Sequence, residues 1–314
     1  MSKASEANVL PTLFERLFDY AGLFPPANLS MTNAIREYHE HLEGDEAKVM
    51  DLFVCTTLQL PLLEESILKA SPNEALKLCL IGRGGKTRDE WEFGLAQDLA
   101  DTNALNGDLR DHIELLAYET KIPDNKDFRH YWNCLGGFES IDRFVELQWD
   151  DSLLNVLEIA AEEVAIAEKH DSDLFLKLRT GGKTAQAFPD VEQVAQFIQG
   201  CAQLLISFKF TAGLHQPITH FDPIIKCGAF GFLNVLFATS LALAHDLSLK
   251  EITEVLTFQD PSEIKIHPDV LMTPWGPLEF IDIQCGRDLI AKIGSCSVTE
   301  PVQALKELGW WQKI

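Results

Sequence analysis

Two lysines lie in stretches whose composition is typical of buried strands. Lys177 lies in LFLKLR and Lys209 in SFKFTAG, and apolar residues flank both of them. Charged side chains are almost never fully buried unless they are paired, so each lysine needs an acidic partner or a chemical role. A glycine-bearing turn follows each stretch, at the kind of strand end where barrel enzymes place their chemistry. The two strands therefore predict a candidate catalytic centre.

The alternation of side chains along a strand indicates which groups accompany the lysines. Successive side chains point to opposite faces, so Arg179 shares a face with Lys177. By the same alternation, Glu114 lies on one face of the strand HIELLAYE, and Glu146 lies on one face of the strand RFVELQW. We expect these two carboxylates to balance the charge of Lys177 and Lys209 inside the fold.

Strand-like runs alternate with amphipathic helical stretches along the chain. This repeated βα order predicts a parallel sheet, and eight strands are the number in a TIM barrel. The GLFPPAN that follows the first run has no G-x-G-x-x-G, which disfavours an open dinucleotide-binding sheet. We therefore predict a (β/α)8 TIM barrel of class α/β, with strands in LFDYAGLF, VMDLFVCTT, LKLCLIGR, HIELLAYE, RFVELQW, LFLKLR, SFKFTAG and LIAKIGSCS.

No linker rich in Gly, Ser or Pro divides the chain, so residues 1–314 are predicted to form a single domain. The segment 215–288 is too long for one barrel connection, so we expect an insertion with extra helices between the seventh and eighth strands. Within it, the nearly apolar stretch 229–244 is shorter than the roughly 20 residues that a bilayer requires. It predicts a buried helix.

Charge and cysteine content restrict the partners and the compartment. The formal net charge is -22 and the isoelectric point about 4.7, so the surface repels nucleic acids and anionic membranes. The seven cysteines are widely spaced without a CxxC pair, which is atypical of a disulfide framework or a zinc ribbon. We expect a cytoplasmic protein that needs no cofactor, forms homo-oligomers as many barrels do, and binds a small anionic molecule.

The two lysine-bearing strand ends resemble those of the class I deoxyribose-phosphate aldolase family. That family carries a K-T-S-T-G strand end and, about one βαβ unit later, a K-P/A-A-G-G strand end; here residues 177–181 read KLRTG and residues 209–213 read KFTAG. The GSCS at 294–297 resembles the family's last strand end, G-A/T-S-S. Glu114 stands where the family has the acidic residue of its V-D-x-V strand. The resemblance extends weakly over much of the chain.

The resemblance implies a Schiff-base lyase on a TIM barrel. Lys177 would attack a carbonyl, Lys209 would lower the proton affinity of Lys177, and Glu114 would shuttle protons. Desolvation and a nearby cation do make a neutral lysine amine accessible. The strand ends and the turns after them are expected to contact the substrate through Arg179, Thr180, Gly181, Gly182, Thr211, Gly213, His215, Glu146, Ser295 and Ser297.

Three departures from the family pattern concern the substrate. Arg179 replaces a small hydroxyl residue, Leu214 replaces the second glycine of the A-G-G turn, and Cys296 replaces one of two serines. The glycine turn lets backbone amides approach a phosphate, whereas arginine can hold a carboxylate through two hydrogen bonds. The departures therefore favour a small carbonyl compound or oxo acid over a phosphorylated sugar.

Two other interpretations remain open at the level of sequence. His215, His220 and Asp222 follow the seventh strand and could hold a divalent metal with Glu114 or Glu146, although the nearby cations disfavour it. Alternatively, the cationic cluster could form the pocket of a non-catalytic anion-binding barrel.

Overall fold

A computed structural model describes residues 8–70, 75–105, 112–167 and 174–314. Eight parallel strands close into a barrel in which each strand pairs with its neighbours along the chain. The predicted TIM-barrel fold is confirmed. The barrel strands are β1 (Phe18–Tyr20), β2 (Met50–Thr56), β3 (Leu76–Ile81), β4 (Ile113–Lys121), β5 (Asp142–Glu146), β6 (Leu174–Arg179), β7 (Phe208–Thr211) and, after five short strands outside the barrel, β13 (Ile290–Ser295).

Helices cover the outside of the barrel, because the outward strand residues are apolar. Phe208 and Phe210, for example, pack against Phe197 with ring centroids 5.2 and 5.8 Å apart. The α-helices in the described residues are α1 (Val9–Phe14), α2 (Met31–Glu43), α3 (Leu60–Ala70), α4 (Arg88–Ala104), α5 (Phe128–Cys134), α6 (Leu153–Ala167), α7 (Val191–Leu204), α8 (Phe232–His245), α9 (Leu249–Thr257), α10 (Phe280–Leu289) and α11 (Thr299–Glu307).

The connection from β7 to β13 contains most of the structure outside the simple βα repeat. Helices α8, α9 and α10 lie in it, and α8 is the buried helix that the apolar stretch predicts. Two small antiparallel sheets accompany them, formed by β8 (His220–Asp222), β9 (Cys227–Ala229), β10 (Lys265–Ile266), β11 (Val270–Thr273) and β12 (Gly276–Glu279). Among the described residues, no helix is long and apolar enough to cross a bilayer.

A buried amide fixes this connection to the helix layer. The side chain of Asn234 on α8 accepts a hydrogen bond from the backbone amide of Thr219 at 2.9 Å. It also donates to the carbonyls of Val255 and Phe258, each at 2.8 Å. One side chain thus makes hydrogen bonds to three backbone groups from two separate segments of the connection.

We predict that Asn234→Ala lowers the free energy of unfolding by about 3 kcal/mol, because three backbone partners lose their hydrogen bonds. Urea unfolding followed by circular dichroism measures the change. The matched control is Asn33→Ala, on the exposed face of α2, which we expect to alter stability by less than about 0.5 kcal/mol. Equal losses in the two variants would contradict the anchoring role of Asn234.

Candidate active site

Five strands bring charged side chains together inside the barrel. Lys177 of β6 places its Nζ atom 2.5 Å from Glu119 Oε2 and 2.9 Å from Glu146 Oε2. Lys209 of β7 forms ion pairs with Asp19 of β1 and with the other oxygen of Glu119. The five groups form one chain of alternating charge, in which Glu119 bridges the two lysines.

The strand register explains why these groups meet. Glu146 is the register partner of Lys177, and Lys177 is the register partner of Lys209, so the three residues lie at one level on neighbouring strands. Both lysines therefore point into the barrel, as their apolar flanks predict. Their side chains are 4% and 1% exposed, so bulk water does not screen the charges.

An apolar layer closes the barrel beneath the charges. The rings of Phe144 and Phe175 stack with centroids 4.7 Å apart, each two residues before an inward charged residue on its own strand. The Nζ atom of Lys209 lies 5.1 Å from the Phe144 ring centroid, close enough for a cation–π contact. The two rings thus lie between the ammonium groups and the amino ends of their strands.

The carboxylates dominate the protonation of the cluster. Burial disfavours the charged form of Glu119, but Lys177 and Lys209 outweigh it and lower its pKa to about 2. Burial likewise disfavours both ammonium groups. Glu119 and Glu146 nevertheless raise the pKa of Lys177 above its ordinary value of 10.5, and Asp19 and Glu119 raise the pKa of Lys209 well above it. Lys209 does oppose this by lowering the pKa of Lys177, as expected from the sequence, but the acids prevail.

The carboxylate of β4 that pairs with the lysines is Glu119 and not the predicted Glu114. Glu114 is exposed at the opposite end of the same strand. The pairing of β3 with β4 moves from Leu115 directly to Ala117, so Leu116 forms a bulge. An extra residue inverts the alternation of faces, and beyond it Glu119 points inward. The structure therefore does not bring Glu114 to the lysines.

Two members of the cluster were missed by sequence reasoning, although each carries a signal. Asp19 lies between Phe18 and Tyr20 in the first strand, an apolar setting like that of Lys177. Glu119 lies nearer the C-terminal end of its strand than Glu114, and barrel enzymes place their chemistry at that end.

The turns after β6 and β7 approach each other closely at the mouth. Thr180 is buried and donates a hydrogen bond from Oγ1 to the carbonyl of Ala212 at 2.7 Å. A Cβ atom on Gly181 would lie 2.8 Å from Gly213 Cα, and Gly213 has a φ of +85°, so both positions favour glycine. Gly182 is half-buried in the same turn.

The ends of three strands place further predicted residues at the mouth. Arg179 ends β6 with an exposed side chain, while its carbonyl accepts a 2.6 Å hydrogen bond from Trp149 Nε1. Thr211 ends β7 and is half-buried. Ser295 donates to the carbonyl of Ser297 at 2.5 Å, so its hydroxyl is engaged within its own turn.

A histidine, a cysteine and a glutamate meet beside this mouth. His215 Nδ1 lies 3.0 Å from Glu300 Oε2, and His215 Nε2 lies 3.9 Å from Cys296 Sγ. Burial raises the pKa of Cys296, which favours its neutral thiol. The sequence indicated no such arrangement, because the three residues come from separate segments. Glu300 thus lies beside the imidazole of His215, although His215 Nδ1 makes no hydrogen bond to any residue that the structure describes.

The proposed metal ligands after β7 do not come together. His220 Nδ1 lies 3.1 Å from the carbonyl of Ile218, and Asp222 accepts hydrogen bonds from the backbone amides of Ile224 and Ile225. Within the described ranges, these two residues and His215 do not form a group of metal-ligating side chains. The structure therefore does not support the metal hypothesis built on them.

Comparisons with known proteins give structural likeness only. No protein-family model matches the chain, and no curated protein matches it. The solved structure described as "QR15, an Aldolase" aligns with a TM-score of 0.47 at 12% identity, over 94% of this chain and 96% of that one. The tetrameric deoxyribose phosphate aldolase from Aeropyrum pernix aligns with a TM-score of 0.36 at 11% identity, over 95% and 93%. Both scores lie below 0.5, so neither likeness assigns a function to this chain.

We predict that Glu119→Gln lowers the free energy of unfolding at neutral pH by about 3 kcal/mol, because two buried ammonium groups lose their shared anion. The pKa of Glu119 falls on folding, so its contribution is present above about pH 4.5 and is lost as the pH falls towards 2. The difference between wild type and variant should shrink over that range. Urea unfolding at several pH values measures it.

The matched control is Glu114→Gln at the exposed end of the same strand, for which we expect a change below about 0.5 kcal/mol at every pH. A larger effect from Glu114→Gln than from Glu119→Gln would overturn the assignment of Glu119 as the bridging carboxylate.

Proposed function

We propose that this chain is a Schiff-base lyase of the class I aldolase type, with Lys177 as its nucleophile. The observation that supports this most is the setting of Lys177: its amine is buried inside the barrel between Glu119 and Glu146. A buried lysine with acids in contact has both the nucleophile and the proton acceptors that carbonyl addition requires.

The raised pKa of Lys177 means that the resting side chain is an ammonium ion, which must lose a proton before it can attack. Glu119 is a poor acceptor, since two lysines lower its pKa to about 2. Glu146 pairs with Lys177 at 2.9 Å and has no second ion-pair partner among the described residues. We assign proton acceptance to Glu146 and the role of fixed counter-ion to Glu119.

The steps conserve protons and electrons. Lys177 passes a proton to Glu146, its free amine adds to the substrate carbonyl carbon, and the carbinolamine loses water to give a cationic Schiff base. Glu146 returns its proton to the departing water and then accepts the proton of the substrate's β-hydroxyl; the carbon–carbon bond breaks, its electron pair moves to the iminium nitrogen, and the leaving fragment departs as a carbonyl compound. Protonation of the enamine carbon and hydrolysis release the second product. The carboxylates that stabilise the ammonium ion also stabilise the iminium cation, which keeps the charge in the same place.

The residues of the mouth support a small anionic substrate. Arg179 lies two positions after Lys177 on the same strand face and is exposed, so its guanidinium is available to a carboxylate at the entrance. We assign His215 to proton exchange with substrate oxygen, and Thr180, Gly181, Gly182, Thr211, Gly213, Ser295 and Ser297 to the walls of the substrate pocket. A 2-oxo acid or a short aldehyde bearing a carboxylate fits these groups.

Reductive trapping tests the proposal directly. With cyanoborohydride and either acetaldehyde or pyruvate as the probe, we expect a covalent adduct whose peptide mass places it on Lys177. Lys177→Met should abolish the adduct. The matched control is Lys292→Met: Lys292 is also on a barrel strand, but it pairs with Asp51. That variant should be labelled like the wild type.

Mapping the adduct on wild-type protein keeps this test independent of whether Lys177→Met folds. Faster labelling of another lysine than of Lys177, or no adduct at Lys177 with any of a panel of aldehydes and oxo acids, would contradict the proposal. The second result, combined with saturable binding of an oxo acid, would favour the non-catalytic anion-binding barrel.

The pH dependence of trapping tests the role of Glu146. Glu146→Gln removes one anion beside Lys177, so the pKa of Lys177 should fall and the midpoint of the trapping rate should move to lower pH by about one unit or more. Glu139→Gln, an exposed acid just before β5, should leave the midpoint unchanged. A midpoint that stays fixed or rises in Glu146→Gln would show that Glu146 does not stabilise the ammonium form.

A further inference from the structure

A second cluster of chemically active side chains lies in the outer helix layer. Glu92 belongs to α4, and His130 and Cys134 belong to α5. One potential ligand atom from each of the three lies within 4.8 Å of the other two. All three residues are half-buried or partly exposed, so an ion could reach them from solvent.

The spacing and donor types define what such a cluster can bind. His130 and Cys134 are four residues apart on one helix, so they share a face, and Glu92 meets them from the neighbouring helix. A set of one nitrogen, one sulfur and one oxygen ligand suits a borderline ion such as Zn²⁺ and disfavours Mg²⁺ or Ca²⁺, which prefer oxygen ligands alone.

Both separations measured from His130 are near those of a tetrahedral site, and the Glu92 and Cys134 ligand atoms lie within 4.8 Å of each other. His130 Nε2 lies 3.6 Å from Cys134 Sγ and 2.7 Å from Glu92 Oε1. In a tetrahedral zinc site the ligand atoms are separated by roughly 3.3 to 3.6 Å. The sulfur–nitrogen separation already meets this, and the nitrogen–oxygen separation needs to open by roughly half an ångström. We propose that Glu92, His130 and Cys134 form a Zn²⁺ site that ties α4 to α5 and leaves a fourth position for water.

Arg88 competes with the ion in the metal-free protein. Its guanidinium lies 2.8 Å from His130 Nδ1 and donates to Glu92 at 3.0 Å. Arginine can only donate, so Nδ1 accepts and Nε2 carries the hydrogen that is donated to Glu92. Zinc takes the place of that hydrogen, the imidazole proton moves to Nδ1, and Arg88 turns away. The side chain of Arg88 is 49% exposed, which leaves it room to do so.

Proton balance gives the site a pH signature. Zinc binding displaces the proton of the Cys134 thiol, whereas the imidazole proton only changes nitrogen. One proton is therefore released for each ion bound, and the affinity rises about tenfold for each pH unit below the pKa of the thiol.

Metal titration of the full chain, after removal of metal by a chelator and with the thiols kept reduced, tests the site. We expect one equivalent of Zn²⁺ to bind by calorimetry, with the pH slope given above, and Co²⁺ to produce a thiolate-to-metal charge-transfer absorption that Zn²⁺ displaces. Cys134→Ser should remove the absorption and weaken binding roughly a hundredfold. Arg88→Ala should strengthen binding by about threefold to tenfold, since it removes the competing contacts.

The matched control is Cys227→Ser, another half-buried cysteine, outside α4 and α5, which should leave the Co²⁺ absorption unchanged. Circular dichroism confirms that each variant is folded. The proposal is overturned by absence of stoichiometric binding in both wild type and Arg88→Ala, or by a thiolate absorption that persists in Cys134→Ser.

Discussion

The bridging of two lysines by Glu119 is the interaction on which the interior of the barrel depends. Each oxygen of this carboxylate pairs with one ammonium group, and the outer ends of the chain are closed by Asp19 and Glu146. Burying an isolated charge would cost several kcal/mol, so the cluster is tolerated only because every member has a partner of opposite sign. Glu119 and the two lysines that it bridges thus link β4 to β1, β5, β6 and β7.

The same interaction determines what the lysines can do. A carboxylate that holds two cations favours the charged amine, so Lys177 rests as an ammonium ion and not as a free nucleophile. In the proposed mechanism, the positive charge of the Schiff base would form between carboxylates that are already in place. In the proposed reaction Lys177 must lose one proton, and Glu146, the acid beside Lys177 that pairs with no other lysine among the described residues, is the proposed acceptor.

The alternation of residue types along the sequence predicts the barrel and part of its charged cluster, but it does not predict the rest of the site. The barrel and the inward direction of Lys177 and Lys209 follow from the alternation of apolar and charged residues, which the structure preserves on β6 and β7. Glu119 could not be placed in this way, because the bulge at Leu116 inverts the faces of β4 and arises from pairing with β3. The approach of His215 to Cys296 likewise depends on the path of the long connection, which no short pattern specifies.

The most direct test of the central claim is the titration of the two lysine amines by nuclear magnetic resonance, with ¹⁵N-labelled lysine and the Lys177 signal assigned through Lys177→Met. We predict that both Nζ groups stay protonated at pH values above the ordinary lysine pKa of 10.5, and that the Lys177 signal shifts when Glu119 is replaced by glutamine. Loss of the Lys177 proton near neutral pH in the free protein would contradict the dominance of the carboxylates.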